Sequence, residues 1–185
     1  MSNINRTRLG DGVFFSDVRD SRFKTMKITA NMIVPLREDT ASEYALLCGI
    51  LSRSCKAYPD FTALSKKLSS LYGAELSASF RKAGDNQLLV LSASGLDDRY
   101  TLEGESVAEE LSRLLCGVIF EPKLSGGVFD EEDVEQERRQ LLDLIDSEFN
   151  DKRVYANGQL VKHMCQNETY GVKRYGSAAY IKAAT

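Results

Sequence analysis

A single histidine, His163, is all that 185 residues provide, and tryptophan is absent. No segment approaches the roughly 18 continuous apolar residues that a membrane-spanning helix needs. Charge of one sign is missing too: 24 basic residues stand against 27 acidic ones, for a formal net charge of −3. The basic residues are scattered rather than set in a stripe with aromatics, so a nucleic-acid partner is not expected. The first 12 residues are polar and lack the apolar run of a signal peptide, which makes a cytoplasmic location the default expectation.

Other sites are excluded by spacing. Cys48, Cys55, Cys116 and Cys165 contain no pair with zinc-finger spacing. They read as reduced thiols packed like small hydrophobes, with Cys48 and Cys55 seven apart on one helical face. Gly126-Gly127 is not followed by a lysine, which argues against a phosphate loop. Ser65, Ser69 and Ser70 have no histidine base at useful spacing. His163 lies two residues from Cys165, a separation that does not bring helical side chains together, so it reads as a surface or capping residue.

What is present is clear periodicity. The first 38 residues read as two strands, a short one over residues 10–15 and a longer one from Phe23. In the second, Met26, Ile28, Ala30, Met32 and Val34 alternate with polar residues until Pro35 stops the ladder. Residues 40–55 switch to helical spacing and are apolar over most of the circumference, which predicts a buried helix capped by Asp39 or Thr40. Phe61, Leu64, Leu68 and Leu71 mark a second, amphipathic helix ended by Gly73 at C′. Ala74, Leu76, Ala78 and Phe80 alternate with polar residues, and 84–86 turn the chain into residues 87–94 as an antiparallel hairpin.

Three helices follow, over about 105–120, from Asp130 onward and over about 154–166. The middle one has an acidic first turn suited to the helix dipole and a core stripe of Val134, Leu141, Ile145 and Phe149. The third carries Val154, Val161 and Met164 at helical spacing. The order of elements predicts an α+β domain, a mostly antiparallel sheet covered by helices.

Within residues 44–76, Tyr58-Pro59-Asp60, Ala63-Leu64-Ser65, Leu68, Leu71 and Gly73-Ala74 resemble the segment after the active-site helix of pitrilysin/insulinase-type zinc peptidases. Residues 129–138 resemble the start of that family's second metal-site helix. Asn167-Glu168-Thr169-Tyr170-Gly171, with Tyr175-Gly176, is similar to its His-Pro-Tyr-Gly and downstream glycine. The family holds zinc with His-x-x-Glu-His on one helix and a later glutamate, the first Glu being the general base. Counting back from Tyr58-Pro59, the resemblance implies that Ala45 and Gly49 stand at the two histidine positions and Cys48 at the base. Leu144, seven residues after Glu137, stands at the third ligand, and Glu137 matches a supporting carboxylate. With one histidine the chain cannot hold a two-histidine site in any register.

The resemblance therefore implies no zinc, no other cofactor and no peptidase activity. It implies a non-catalytic subunit that completes a peptide chamber with an active pitrilysin-type partner, such as bacterial operons often encode beside it, or with a second copy of itself. Peptide would add to an exposed strand edge, for which residues 74–81, with Ala74, Leu76, Ala78 and Phe80, and residues 87–94 are candidates. The alternatives are a stand-alone peptide- or protein-binding module, or an active enzyme with unusual ligands such as Cys48 and His163. Family units are longer and usually come in pairs, so residues 1–185 are expected to be a first domain cut before its natural end, without the second. The acidic run 131–137 reads as a solvated helix start or, less simply, as part of an interface.

Overall fold

The structure, a computed structural model, describes residues 3–184. It opens with a hairpin, β1 (Asn3–Gly10) and β2 (Val13–Arg19), followed by β3 (Thr25–Pro35). The reading of residues 10–15 as one strand is thereby corrected. Gly10 and Val13 are partners across a turn in which Gly12 takes φ +70°, and the polar stretch before it is itself a strand. Arg6 and Arg8 alternate with Ile4 on one face of β1, so the residues that pair carry no apolar pattern.

Next come α1 (Ala41–Leu51), α2 (Phe61–Ser70), the hairpin of β4 (Glu75–Ala83) and β5 (Asn86–Leu96), and α3 (Val107–Phe120). The chain finishes with α4 (Glu131–Glu148), α5 (Lys152–Met164) and the short α6 (Ala178–Ala183). Strands β3, β5 and β4 form one antiparallel sheet in that order, and β1–β2 forms a separate ribbon. β5 is central, with Leu91 opposite both Ala30 and Ala78. Residues 87–94 are thus paired on both sides and cannot offer the open edge expected of them. β4 remains an edge strand.

One sheet face is covered. Leu91, Leu51, Cys55, Leu115 and Val118 form a buried cluster against Ile28, Ala30, Leu76 and Ala78. Leu64, Leu71, Ala93, Val107, Leu111 and Leu114 form the neighbouring one. The helices that make this cover are α1, α2 and α3, an α+β arrangement of helices on an antiparallel sheet. No helix among the described residues is long and apolar enough to cross a membrane.

Local signals explain the helix ends. Asp60 Oδ1 accepts from the Ala63 amide at 2.7 Å and Asp130 Oδ1 from the Glu132 amide at 3.0 Å, satisfying amides that have no intrahelical partner. Thr40 is the N-cap of α1 but makes no side-chain cap, and its hydroxyl is buried without a partner. Leu71 is the C-cap of α2, and two left-handed residues follow: Tyr72 (φ 59°) takes the C′ position expected for Gly73, which comes next at φ 71°. Tyr72 is held there by its hydroxyl, which lies 2.8 Å from both oxygens of Glu105 and accepts from the Leu102 amide at 3.0 Å. Phe149 is not part of the α4 core stripe. It is 57% exposed and meets Tyr155 edge-on at 5.2 Å.

Candidate functional site

α1 is apolar around its axis and accordingly buries Ala41, Ala45, Leu46, Cys48, Ile50 and Leu51. Its contact with α4 brings together most residues singled out from sequence. Ala45, at 1% exposure, lies in a cluster with Leu46, Leu141, Tyr175 and Ile181, and Leu144, Ile145 and Phe80 pack against it. Ala45 and Leu144 therefore share one apolar interior to which neither brings a lone pair. Cys48 points elsewhere, over the sheet, where its thiol donates to the Ser79 carbonyl at 3.4 Å. Burial pushes that thiol up to about 11, so it stays protonated.

Gly49 explains how close α1 and α4 can come. A Cβ there would overlap Glu137 Oε2 and lie 2.9 Å from Glu137 Cδ. The space a side chain would need is occupied by a carboxylate. Glu137 is only 8% exposed, so the end of the acidic run is interior rather than solvated. Its counter-ion is Arg53, just past the end of α1, whose Nη1 donates to Glu137 Oε1 at 2.9 Å. The same guanidinium donates to Gln136 Oε1 and lies 3.5 Å from Asp133 Oδ1. A buried carboxylate needs such a partner, because an unpaired one would cost several kcal/mol.

Arg53 was not found from the sequence. Its only signal is the pairing of Asp133 with Glu137, four apart and hence on one face of α4, which leaves two carboxylates near a helix that has to pack.

These residues do not fit a zinc ion. Between the helices stand a methyl group, a glycine and leucines, and the one carboxylate is already held by a guanidinium. Among the described residues no group of three or more His, Cys, Asp or Glu side chains is placed to hold a metal ion.

The segment after α5 completes the surroundings. Ser42 Oγ donates to the Tyr175 carbonyl at 3.1 Å and accepts from the Ser177 amide at 3.2 Å. Gly176, at φ +70°, is needed there because a Cβ would lie 2.9 Å from the Ser42 amide nitrogen. The Tyr175 hydroxyl donates to Glu148, and Lys173 reaches the same carboxylate at 3.2 Å. Arg138 donates to the carbonyls of Ile181, Lys182 and Ala184, satisfying the open end of α6 from α4. His163 is exposed on α5, away from Cys48 in sequence and in environment.

Of the expected peptide edge, Ala74 is buried, and Leu76, Ala78 and Phe80 turn half-buried faces into the core. Only the backbone of β4 is available for pairing, with Glu75, Ser77, Ser79 and Arg81 outward.

No family model matches the sequence. A Bacillus subtilis (strain 168) chain named "Probable inactive metalloprotease YmfF" is 30% identical over 173 residues, 93% of this chain and 41% of that protein. The crystal structure of a conserved protein from Enterococcus faecalis V583 superposes with a TM-score of 0.90 at 26% identity, over 100% of this chain and 43% of the other. That of a peptidase M16 inactive domain from Pseudomonas fluorescens superposes at 0.71 and 16% identity, over 99% and 41%, and shows the fold alone. The chain spans about two fifths of the length of these relatives.

Proposed function

We propose that this chain is a pitrilysin-type metallopeptidase homologue without the zinc motif, acting as a non-catalytic, peptide-binding component of a cytoplasmic proteolytic system. In this reading an active family member supplies the zinc and the hydrolysis. This chain completes the chamber and holds substrate by pairing with the open backbone of β4.

The carrying observation is the α1–α4 contact. There Ala45, Gly49 and Leu144 bring no metal donor, and the Glu137 carboxylate beside Gly49 is paired with Arg53. The name of the B. subtilis relative supports a non-enzymatic role. The edge position of β4 supports peptide addition there, since each unpaired amide and carbonyl on an edge is a ready partner for an extended chain.

Co-expression with a family member that retains His-x-x-Glu-His tests this. A stable complex is expected on size exclusion, with zinc and peptidase activity in the complex and neither in the chain alone. Stoichiometric zinc with activity in the isolated chain, lost on Cys48→Ala, would defeat the reading. Peptide binding by the chain with no complex would leave a stand-alone binding module instead.

A further inference from the structure

Among the described residues, α5 is the one long helix that buries no residue. Val154, Asn157, Gly158 and Val161 on α5, with Ile145 of α4, Lys82 at the end of β4 and residues 170–178, line a cleft of about 860 Å³. That volume is in the range of ligand sites.

Two features point to an occupant. Gly158 is a helix-interior glycine, which weakens a helix, yet nothing lies within 4 Å of where its Cβ would be. No contact inside the chain requires it, whereas a chain lying against the α5 backbone would. The second feature is charge. Lys82 and Arg174 are both positioned in the wall: Lys82 donates to the Tyr170 carbonyl at 2.6 Å and the Val172 carbonyl at 3.1 Å, and Arg174 lies 6.0 Å from the rings of Phe80 and Tyr175. Neither makes an ion pair among the described residues. Four cations, Lys82, Lys162, Lys173 and Arg174, line the cleft against three carboxylates, Glu38, Glu148 and Glu168, and Glu148 is already held by Lys173. Burial pushes the Lys82 ammonium down, and the side chain also lies 4.1 Å from the centre of the Tyr170 ring.

We propose that this cleft takes an extended peptide carrying an acidic side chain, which docks at Lys82 and Arg174 while the apolar side chains lie along Val154 and Val161. From Val154 to His163 the cleft follows α5 for roughly 14 Å, the span of about four extended residues. The amides of Asn157 and Gln166 line it and can both donate and accept, as a peptide backbone requires. The proposal deepens the peptide-binding reading above and rests on it, but assigns a surface other than the β4 edge.

The test uses fluorescein-labelled acetyl-Leu-Glu-Leu-Glu-Leu, its lysine counterpart and an N-methylated copy, by fluorescence anisotropy with the 185-residue chain. The acidic peptide is expected to bind at least tenfold more tightly than the basic one. Gly158→Leu fills the cleft and is expected to abolish binding with no loss of thermal stability, and Arg174→Ala to weaken it about tenfold. Equal binding of both peptides, or unchanged binding to the Gly158→Leu chain, overturns the proposal. If binding survives Gly158→Leu but is lost on N-methylation, strand pairing at β4 stands and the cleft does not. If no peptide binds, both fall. Competition by decanoate as strong as by the peptide would make the cleft a site for a small amphipathic acid and also overturn it.

Discussion

The α1–α4 contact and the β1–β2 ribbon contain similar side chains and treat them in opposite ways. In the first, Ala45, Leu46 and Leu141 are buried and a guanidinium–carboxylate pair closes the seam. In the second, Ile4, Phe14, Phe15 and Val18 are all more than half exposed, with Ile4 at 72%. An isolated two-stranded ribbon is marginal by itself; Arg6 stacked 4.4 Å over Phe14 is one of the few contacts that ribbon makes across its faces. Apolar composition alone thus says little about stability, and what decides is whether a second surface arrives to exclude water.

Gly49→Ala should break that contrast most, because the new methyl group must displace a buried carboxylate from its pairing with Arg53. We expect a loss of about 3 kcal/mol or more in urea unfolding, from overpacking and from separating the ion pair. Glu137→Ala leaves Arg53 with only Asp133 and Gln136 as partners and should cost about 2 kcal/mol. The double change Arg53→Met with Glu137→Leu should recover most of that loss, since an apolar pair of similar volume is often as stable as the ions. A double-mutant cycle from the same urea curves measures both.

Leu141→Ala should lose about 2 kcal/mol by opening a cavity at the seam. Cys48 provides a pH test. Its folded pKa is raised from 9.0 to about 11, so between those values the folded chain keeps a proton that the unfolded chain releases. Stability should therefore fall as pH rises through that window, by about 1.4 kcal/mol per unit from this group. Replacing Cys48 with Ala should flatten the slope by that amount. Phe14→Ala is expected to change stability by about 0.5 kcal/mol or less, because the ring has little burial to lose. A large effect there would mean that the ribbon is covered in solution.

Sequence reasoning recovered what periodicity encodes. α2, β4 with its hairpin, α3 and α4 lie where the apolar spacing puts them, because each buries a single face. The misses have physical causes. β1 pairs through its backbone while showing arginines, so no pattern marks it. Residues 87–94 read as an available surface because a buried central strand and a half-open one look alike until the neighbours are known. At the site, missing donors could be counted directly from one histidine. The Arg53–Glu137 pair could not, because its members are 84 positions apart and meet only when α1 and α4 pack.

Gln87 gives a last consequence. Its amide nitrogen reaches the Ala41 carbonyl at 3.0 Å and the Arg174 carbonyl at 2.7 Å, so one group ties the head of α1, the beginning of β5 and the approach to α6. Changing Gln87 to Glu alters a single heavy atom and barely any volume. It would nonetheless set an anion against two oxygens in a dry interior, and three distant stretches of chain would lose their common knot at once.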